Sequence, residues 1–317
     1  MAVSQGDGAG ALDITRGLEG YGLAGLNAAI THARESRISL AQFLASLADA
    51  SEEMAAVDMA KGTHAGKDGS ASAALPVQAP EVWGSGVTYR RSREAREAEN
   101  VVEKDFYSRI YTAERPEIFF KDSSCRRTVG PNGRIGIRGD SRSSVPEPEL
   151  ALVLDASGTV VGFTLGNDVT ARDIESQNPL YLPQAKIFAK SCALGPCLLL
   201  CDTDPDEVAP FPIEMSIRSA MGEMRYQDST STAELTRRFA DLVGYLTRHN
   251  PIADGTVLLT GTGLVPPPDF ALQDGDVVTI TSAPIGSLEN TAVDLARTAE
   301  GSPMANSPSS IRMEDLP

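Results

Sequence analysis

Val145-Pro146-Glu147-Pro148-Glu149-Leu150-Ala151-Leu152-Val153-Leu154 is the stretch on which the reading of this chain turns. In a strand, residues i and i+2 point to one side, so Glu147 and Glu149 share a face. The apolar run that follows carries the strand into a core. Two carboxylates side by side at the mouth of a core repel each other. Both stay ionised only with a cation or a cluster of donors between them. A hard divalent metal with oxygen ligands meets that need. The competing reading is a solvated acidic rim on an edge strand.

Beyond Leu154, the turn residues Asp155-Ala156-Ser157-Gly158 predict a hairpin into a second strand, 159–165. Gly166-Asn167-Asp168 ends that strand, and the hairpin brings Asp168 back beside Glu149 as a third carboxylate. The chain has three histidines, His32, His64 and His249, none near this motif. Three carboxylates without histidine favour Mg2+, Mn2+ or Ca2+ over zinc. Lys186 lies in the semi-apolar segment Leu182-Pro183-Gln184-Ala185-Lys186-Ile187-Phe188. Such a lysine either snorkels to solvent or, beside a metal-bound carbonyl, binds an oxyanion or moves a proton. Glu117, between Pro116 and Ile118-Phe119-Phe120, is either a surface strand residue or, where it faces the site, a partly buried acid–base group. Thr260-Gly261-Thr262-Gly263 is a tight polar turn whose hydroxyl and free amides are able to hold a carboxylate.

The 317 residues suffice for one large domain or two modest ones. With 41% apolar and 22% charged residues, the composition is that of a soluble globular protein. There is no apolar run of about 18 residues and no basic, then apolar, leader at the start, so a cytoplasmic protein is expected. A net charge of −15 disfavours nucleic acid and anionic membrane as partners. The cysteines Cys125, Cys192, Cys197 and Cys201 lack zinc-site spacing and read as small buried apolar groups.

Residues 1–13 read as weakly structured and 16–60 as mostly helical, with Ser39 and Gln42 as a capping box. Residues 61–75 read as a linker or surface loop. The expected division is a small N-terminal region and linker at 1–75, a main domain at 76–300 and a disordered tail at 301–317. In the main domain, strands are expected near 82–89, 115–121, 193–201, 211–218, 221–227, 256–260 and 277–282. Helix is expected at 92–104 and, capped by Ser231 and Glu234, at 232–249. Many short strands with few helices make a β-rich α+β domain.

Taken in order, several motifs resemble the fumarylacetoacetate hydrolase superfamily across about residues 80–292. They are Pro146-Glu147-Pro148-Glu149-Leu150, Gly166-Asn167-Asp168-Val169-Thr170-Ala171-Arg172-Asp173, Lys186, Leu259-Thr260-Gly261-Thr262, Asp274-Gly275-Asp276-Val277-Val278 and Ile285-Gly286-Ser287-Leu288-Glu289-Asn290. Three further segments resemble the branch of 2-keto-3-deoxy-D-arabinonate and related 2-keto-3-deoxypentonate dehydratases. These are Asp105-Phe106-Tyr107, Glu114 to Lys121 and Asn178 to Lys186. The resemblance implies the family's mixed β-roll or sandwich with a small N-terminal domain, assembled as a homodimer or homotetramer.

By the same resemblance, Glu147, Glu149 and Asp168 are Mg2+ ligands, and Lys186 and Glu117 are the catalytic pair. Ser92 and Thr262 would orient a small 2-keto acid substrate. Superfamily hydrolases and decarboxylases often carry a histidine three residues after a tyrosine. Here Tyr89 is followed by Arg90, Arg91 and Ser92. Ser92 at that position favours Mg2+-dependent dehydration of a 2-keto-3-deoxy sugar acid over hydrolysis or decarboxylation of a diketo or oxaloacetate-like acid. The remaining alternative, a non-catalytic ligand-binding protein, requires neither Lys186 nor Glu117. Asp122-Ser123-Ser124 departs from the dehydratase pattern.

Overall fold

The structure is a computed structural model. It describes residues 18–19, 21–47, 75–92, 94 and 113–297, with the backbone of five short strands before residue 75. Those strands are β1 (Ala2–Ser4), β2 (Ala11–Asp13), β3 (Glu52–Glu53), β4 (Thr63–Ala65) and β5 (Ala71–Ala73). β1, β2 and β3 form one small sheet and β4 pairs with β5. The first thirteen residues therefore contain paired strands, the stretch read as a linker contains a hairpin, and the helical reading stops short of residue 52. The expected helix beyond residue 94, the Asp105-Phe106-Tyr107 segment and the tail from 301 lie outside the described residues.

Ahead of the main domain, the described residues include the helices α1 (Leu26–Ser36) and α2 (Leu40–Ser46). The capping box at α2 forms as read: Ser39 Oγ accepts from the Gln42 amide and Gln42 Oε1 accepts from the Ser39 amide, each at 3.0 Å.

The main domain runs β6 (Glu81–Gly86), β7 (Glu117–Ser123), β8 (Thr128–Val129), β9 (Arg134–Ile137), β10 (Ser144–Val145), β11 (Pro148–Leu154), β12 (Val160–Asp168) and β13 (Thr170–Ala171). After α3 (Arg172–Gln177), a 3-10 turn and α4 (Leu182–Lys186) come β14 (Cys192–Leu200), β15 (Pro212–Arg218) and β16 (Met224–Ser231). Helix α5 (Phe239–Thr247), β17 (Thr256–Leu259), β18 (Val277–Ser282) and β19 (Gly286–Asp294) complete it. A seven-stranded mixed sheet, β7-β6-β17-β11-β12-β14-β8, packs against a five-stranded one, β16-β15-β18-β19-β9.

Strand alternation distributes β11 between two cores. Leu150, Leu152 and Leu154 join Ile213, Met215, Val278, Ile280 and Leu288 between the sheets. Ala151 and Val153 face the other way, onto Ile30, Ala33, Phe43 and Leu44 of α1 and α2. β11 is thus a central strand buried on both faces, which overturns the edge-strand rim as a reading of its glutamates.

The expected helix 232–249 is shorter. Ser231 caps only a 3-10 turn, Thr232–Glu234, and Leu235 is extended and bridges to Tyr89. The helix starts at Phe239 because its first amides are capped from a distance. Asp206 accepts from Phe239 N at 2.7 Å and Ala240 N at 3.2 Å.

Candidate active site

The β11–β12 hairpin assembles the acidic cluster. Glu149 stands opposite Gly166, so Asp168, two residues on, shares its face. Pro146 and Pro148 flank Glu147 and have no N–H for the ladder. Pairing resumes only at β10 and β13, where Val145 meets Thr170. In the gap, the Glu147 carbonyl accepts from Asp168 N at 2.9 Å and its amide donates to Asn167 Oδ1 at 3.1 Å. Glu147, Glu149 and Asp168 each offer a carboxylate oxygen, all within 4.8 Å of one another. Their exposures are 7%, 2% and 0%, a depth at which carboxylates require compensation.

Two ammonium groups supply part of it. Lys186, at the end of α4, is 2% exposed. Its Nζ donates to Glu147 Oε2 at 2.7 Å, Asp168 Oδ2 at 2.9 Å and Thr170 Oγ1 at 2.7 Å. It does not snorkel, because every donor is spent inward. Buried Glu175 of α3 stands 4.0 Å from the same ammonium. Lys121, fully buried, forms an ion pair with Asp168 Oδ1 and donates to the carbonyls of Lys186 and, at 3.1 Å, Val169.

Three carboxylates face the two ammonium groups named here, a difference of one negative charge. Glu149 makes no ion pair among the described residues. Among those residues it accepts only from the Gly261 amide, at 2.5 Å. Burial, then Asp168 and Glu147, push its carboxyl well above the usual range. An all-oxygen cluster with surplus buried charge fits a hard divalent cation, which would place positive charge beside Glu149.

Glycines set the remaining approach. A Cβ on Gly86 would lie 1.9 Å from Glu117 Oε2, and one on Gly84 would lie 2.5 Å from the Phe119 ring. Gly84 and Gly86 of β6 therefore let Phe119 and Glu117 of β7 lie flat across them. Lys186 Nζ sits 5.4 Å from the Phe119 ring centroid, which puts this strand against the cluster. β7 carries one extra residue opposite Val82 and Trp83, a bulge at Lys121.

The other expected site residues are tied locally. Ser92 Oγ donates to the Tyr89 carbonyl at 2.8 Å. Thr262 Oγ1 accepts from Leu264 N at 3.1 Å. In the Thr260–Gly263 turn, the Gly261 amide holds the protein's own Glu149. Tyr89 is 1% exposed, and burial, then Glu149 and Glu234, hold its phenol protonated. The sequence alone gives Lys121, Thr170, Glu175 and Tyr89 no site role. Thr170 carried a signal, lying two residues from Asp168. Lys121 carried one as well, being the charged end of an apolar strand four residues after Glu117.

Residues 81–293 match the family model described as fumarylacetoacetate (FAA) hydrolase C-terminal. The chain belongs to the fumarylacetoacetate hydrolase family. A family member from Haloferax volcanii, named probable 2-keto-3-deoxyxylonate dehydratase, is 49% identical over 219 residues, covering 69% of this chain and 74% of that protein. One from Saccharolobus solfataricus, named 2-dehydro-3-deoxy-D-arabinonate dehydratase, is 44% identical over 67% of this chain and 72% of its own. A solved structure of 2-keto-3-deoxy-D-arabinonate dehydratase complexed with magnesium and 2,5-dioxopentanoate superposes with a TM-score of 0.74 at 33% identity. It covers 92% of this chain and 94% of its own. The mixed sheets with few helices are this family's fold.

Proposed function

We propose that this family member is a hydro-lyase that converts a 2-keto-3-deoxypentonate into 2,5-dioxopentanoate, with Mg2+ held by Glu147, Glu149 and Asp168. The observation that carries the reading is the buried Lys186 ammonium set among those carboxylates, in a chain this similar to two named dehydratases. Bound Mg2+ supplies a Lewis acid for the 2-keto acid end of the substrate.

The chain's own groups divide the remaining work. Lys186 relays the C3 proton, taking it up as it passes one of its own to Glu147 or Asp168, both within hydrogen-bond distance. Glu117, lying over Gly86, protonates the departing C4 hydroxyl, so that water leaves. The unsaturated acid then tautomerises and the C5 carbinol becomes the aldehyde, so no oxidant is consumed. Lys121 holds Asp168 and the Lys186 backbone in place. Ser92 and Thr262 orient the substrate's tail and carboxylate. Ser92, at the position where related hydrolases carry histidine, supports dehydration over hydrolysis.

The test is product analysis on D- and L-2-keto-3-deoxypentonates with Mg2+, with oxaloacetate and an acylpyruvate as controls. Release of 2,5-dioxopentanoate is expected; turnover of the controls alone would overturn the reading. Lys186→Ala is expected to lower kcat by about 10²–10⁴-fold while calorimetry still shows Mg2+ binding. Near-normal activity in that variant would remove Lys186 from the mechanism. We further propose a cytoplasmic enzyme assembled as a homodimer or homotetramer; sedimentation of the full chain checks the assembly. Among the described residues, no helix is long and apolar enough to cross a membrane.

A further inference from the structure

The Thr260–Gly263 turn, whose Gly261 amide holds Glu149, is walled by the hydroxyl-bearing side chains of Thr88, Tyr89 and Thr230. The Thr88 hydroxyl donates to the Thr260 carbonyl at 2.7 Å. The Tyr89 and Thr230 hydroxyls are buried, and neither has a hydrogen-bond partner among the described residues. Both side chains lie against Gly263. A Cβ there would stand 2.5 Å from Thr230 Oγ1 and 2.7 Å from Tyr89 Cδ1. Position 263 must therefore be glycine for the two to approach the turn.

A buried tyrosine hydroxyl normally finds a partner, because leaving it unmade costs the full desolvation of the group. Tyr89 is buried as deeply as the carboxylates themselves, and it feels the charge of Glu149. A donor with no partner among the described residues at that depth, packed on the turn whose Gly261 amide holds Glu149, is a place for a ligand's oxygen.

We infer that Tyr89, with Thr230 beside it on Gly263, is the subsite for the substrate oxygen that is retained, the C5 hydroxyl. The inference rests on the dehydratase reading for the identity of that oxygen. The C4 oxygen leaves as water, whereas the C5 oxygen stays and becomes the aldehyde. A neutral phenol suits it, since it donates equally well to the hydroxyl and to the carbonyl that replaces it. Tyr89 and Thr230 are thus specificity-determining residues for a hydroxylated chain end.

The test uses two 2-keto acids that lack the C4 hydroxyl and cannot be dehydrated: 5-hydroxy-2-oxopentanoate and 2-oxopentanoate. Each is titrated calorimetrically into the full chain with Mg2+. Wild type is expected to prefer the hydroxylated acid by roughly five- to tenfold, the value of one net hydrogen bond. Tyr89→Phe is expected to abolish the preference, leaving 2-oxopentanoate affinity unchanged and Tm unchanged or higher, since no folded-state hydrogen bond is lost. Thr230→Val is expected to reduce the preference in part. No preference in wild type, or equal weakening of both ligands by Tyr89→Phe, would overturn the subsite. Should wild type show the preference yet release no water from 2-keto-3-deoxypentonates, the dehydratase reading fails and the subsite stands. Dehydration without the preference gives the converse.

Discussion

Lys121 has no exposed surface, and among the described residues its ammonium makes three polar contacts: the Asp168 carboxylate and two main-chain carbonyls, one of them that of Lys186. A methionine fills the same space and supplies no charge. Lys121→Met therefore takes from Asp168 one of its two ammonium partners and removes a donor from each carbonyl, while Lys186 still reaches Asp168 and Ser191 still reaches the Lys186 carbonyl. Breaking one side of a buried ion pair costs about 3–5 kcal/mol. The expected outcome is a loss of that size in urea unfolding of the metal-free chain. Added Mg2+ should recover part of it by compensating Asp168, and an unfolding midpoint equal to wild type would show the contact to be idle. What the sequence revealed at this scale depended on distance along the chain. Glu147, Glu149 and Asp168 were legible because one hairpin joins them. For Lys121 the charge at the end of an apolar strand was visible but its role was not, because its carbonyl partners lie 48 and 65 residues away and the bulge that buries it is invisible in the alternation.

At the scale of elements, local rules held where the partners were local. The capping box at α2 is satisfied within four residues, and β11 and β12 pair through the turn that Asp155 to Gly158 predicts. The start of α5 departs for a physical reason. Ser231 offers a cap, but its amide partner, Ala233, opens only a 3-10 turn, and the helix takes its cap from Asp206, 33 residues earlier. Asp206 also lies 3.2 Å from Arg238, so one carboxylate meets both the helix N-terminus and a neighbouring charge. Asp206→Ala is expected to cost about 1 kcal/mol. A Tm lower by about 2–4 °C follows, with kcat unchanged because α5 packs in the inter-sheet core, away from the carboxylates. A Ser231→Ala change is expected to cost less, which ranks the two caps in one melting experiment.

At the scale of the molecule, the N-terminal helices close the face of the large sheet that also carries the carboxylate cluster, and one carboxylate fastens them there. Asp254 lies in the turn before β17. It accepts from Arg34 Nε at 3.0 Å and Nη2 at 3.1 Å, from Thr31 Oγ1 at 2.7 Å and from the Ala156 amide at 2.8 Å. Its own carbonyl accepts from Asn27 Nδ2 at 3.2 Å. A single residue thus joins α1, the β11–β12 turn and β17. No motif in residues 1–75 announced this, because its residues lie more than 200 positions apart. Although burial alone would raise it, the Arg34 bond with the Ala156 and Thr31 donors holds the Asp254 carboxyl below its usual range. A carboxyl lowered on folding contributes stability that is complete above the ordinary aspartate value, near 4, and that disappears as the pH falls through the lower folded value. Asp254→Asn keeps the shape and removes the charge. Near neutral pH it should melt a few degrees below wild type, and the gap should narrow as the pH falls below about 4. Thermal unfolding of the two proteins between pH 3 and 7 measures that gap directly. A gap independent of pH would mean that the asparagine fails through its geometry and that the Asp254 charge does not hold the helices to the sheet.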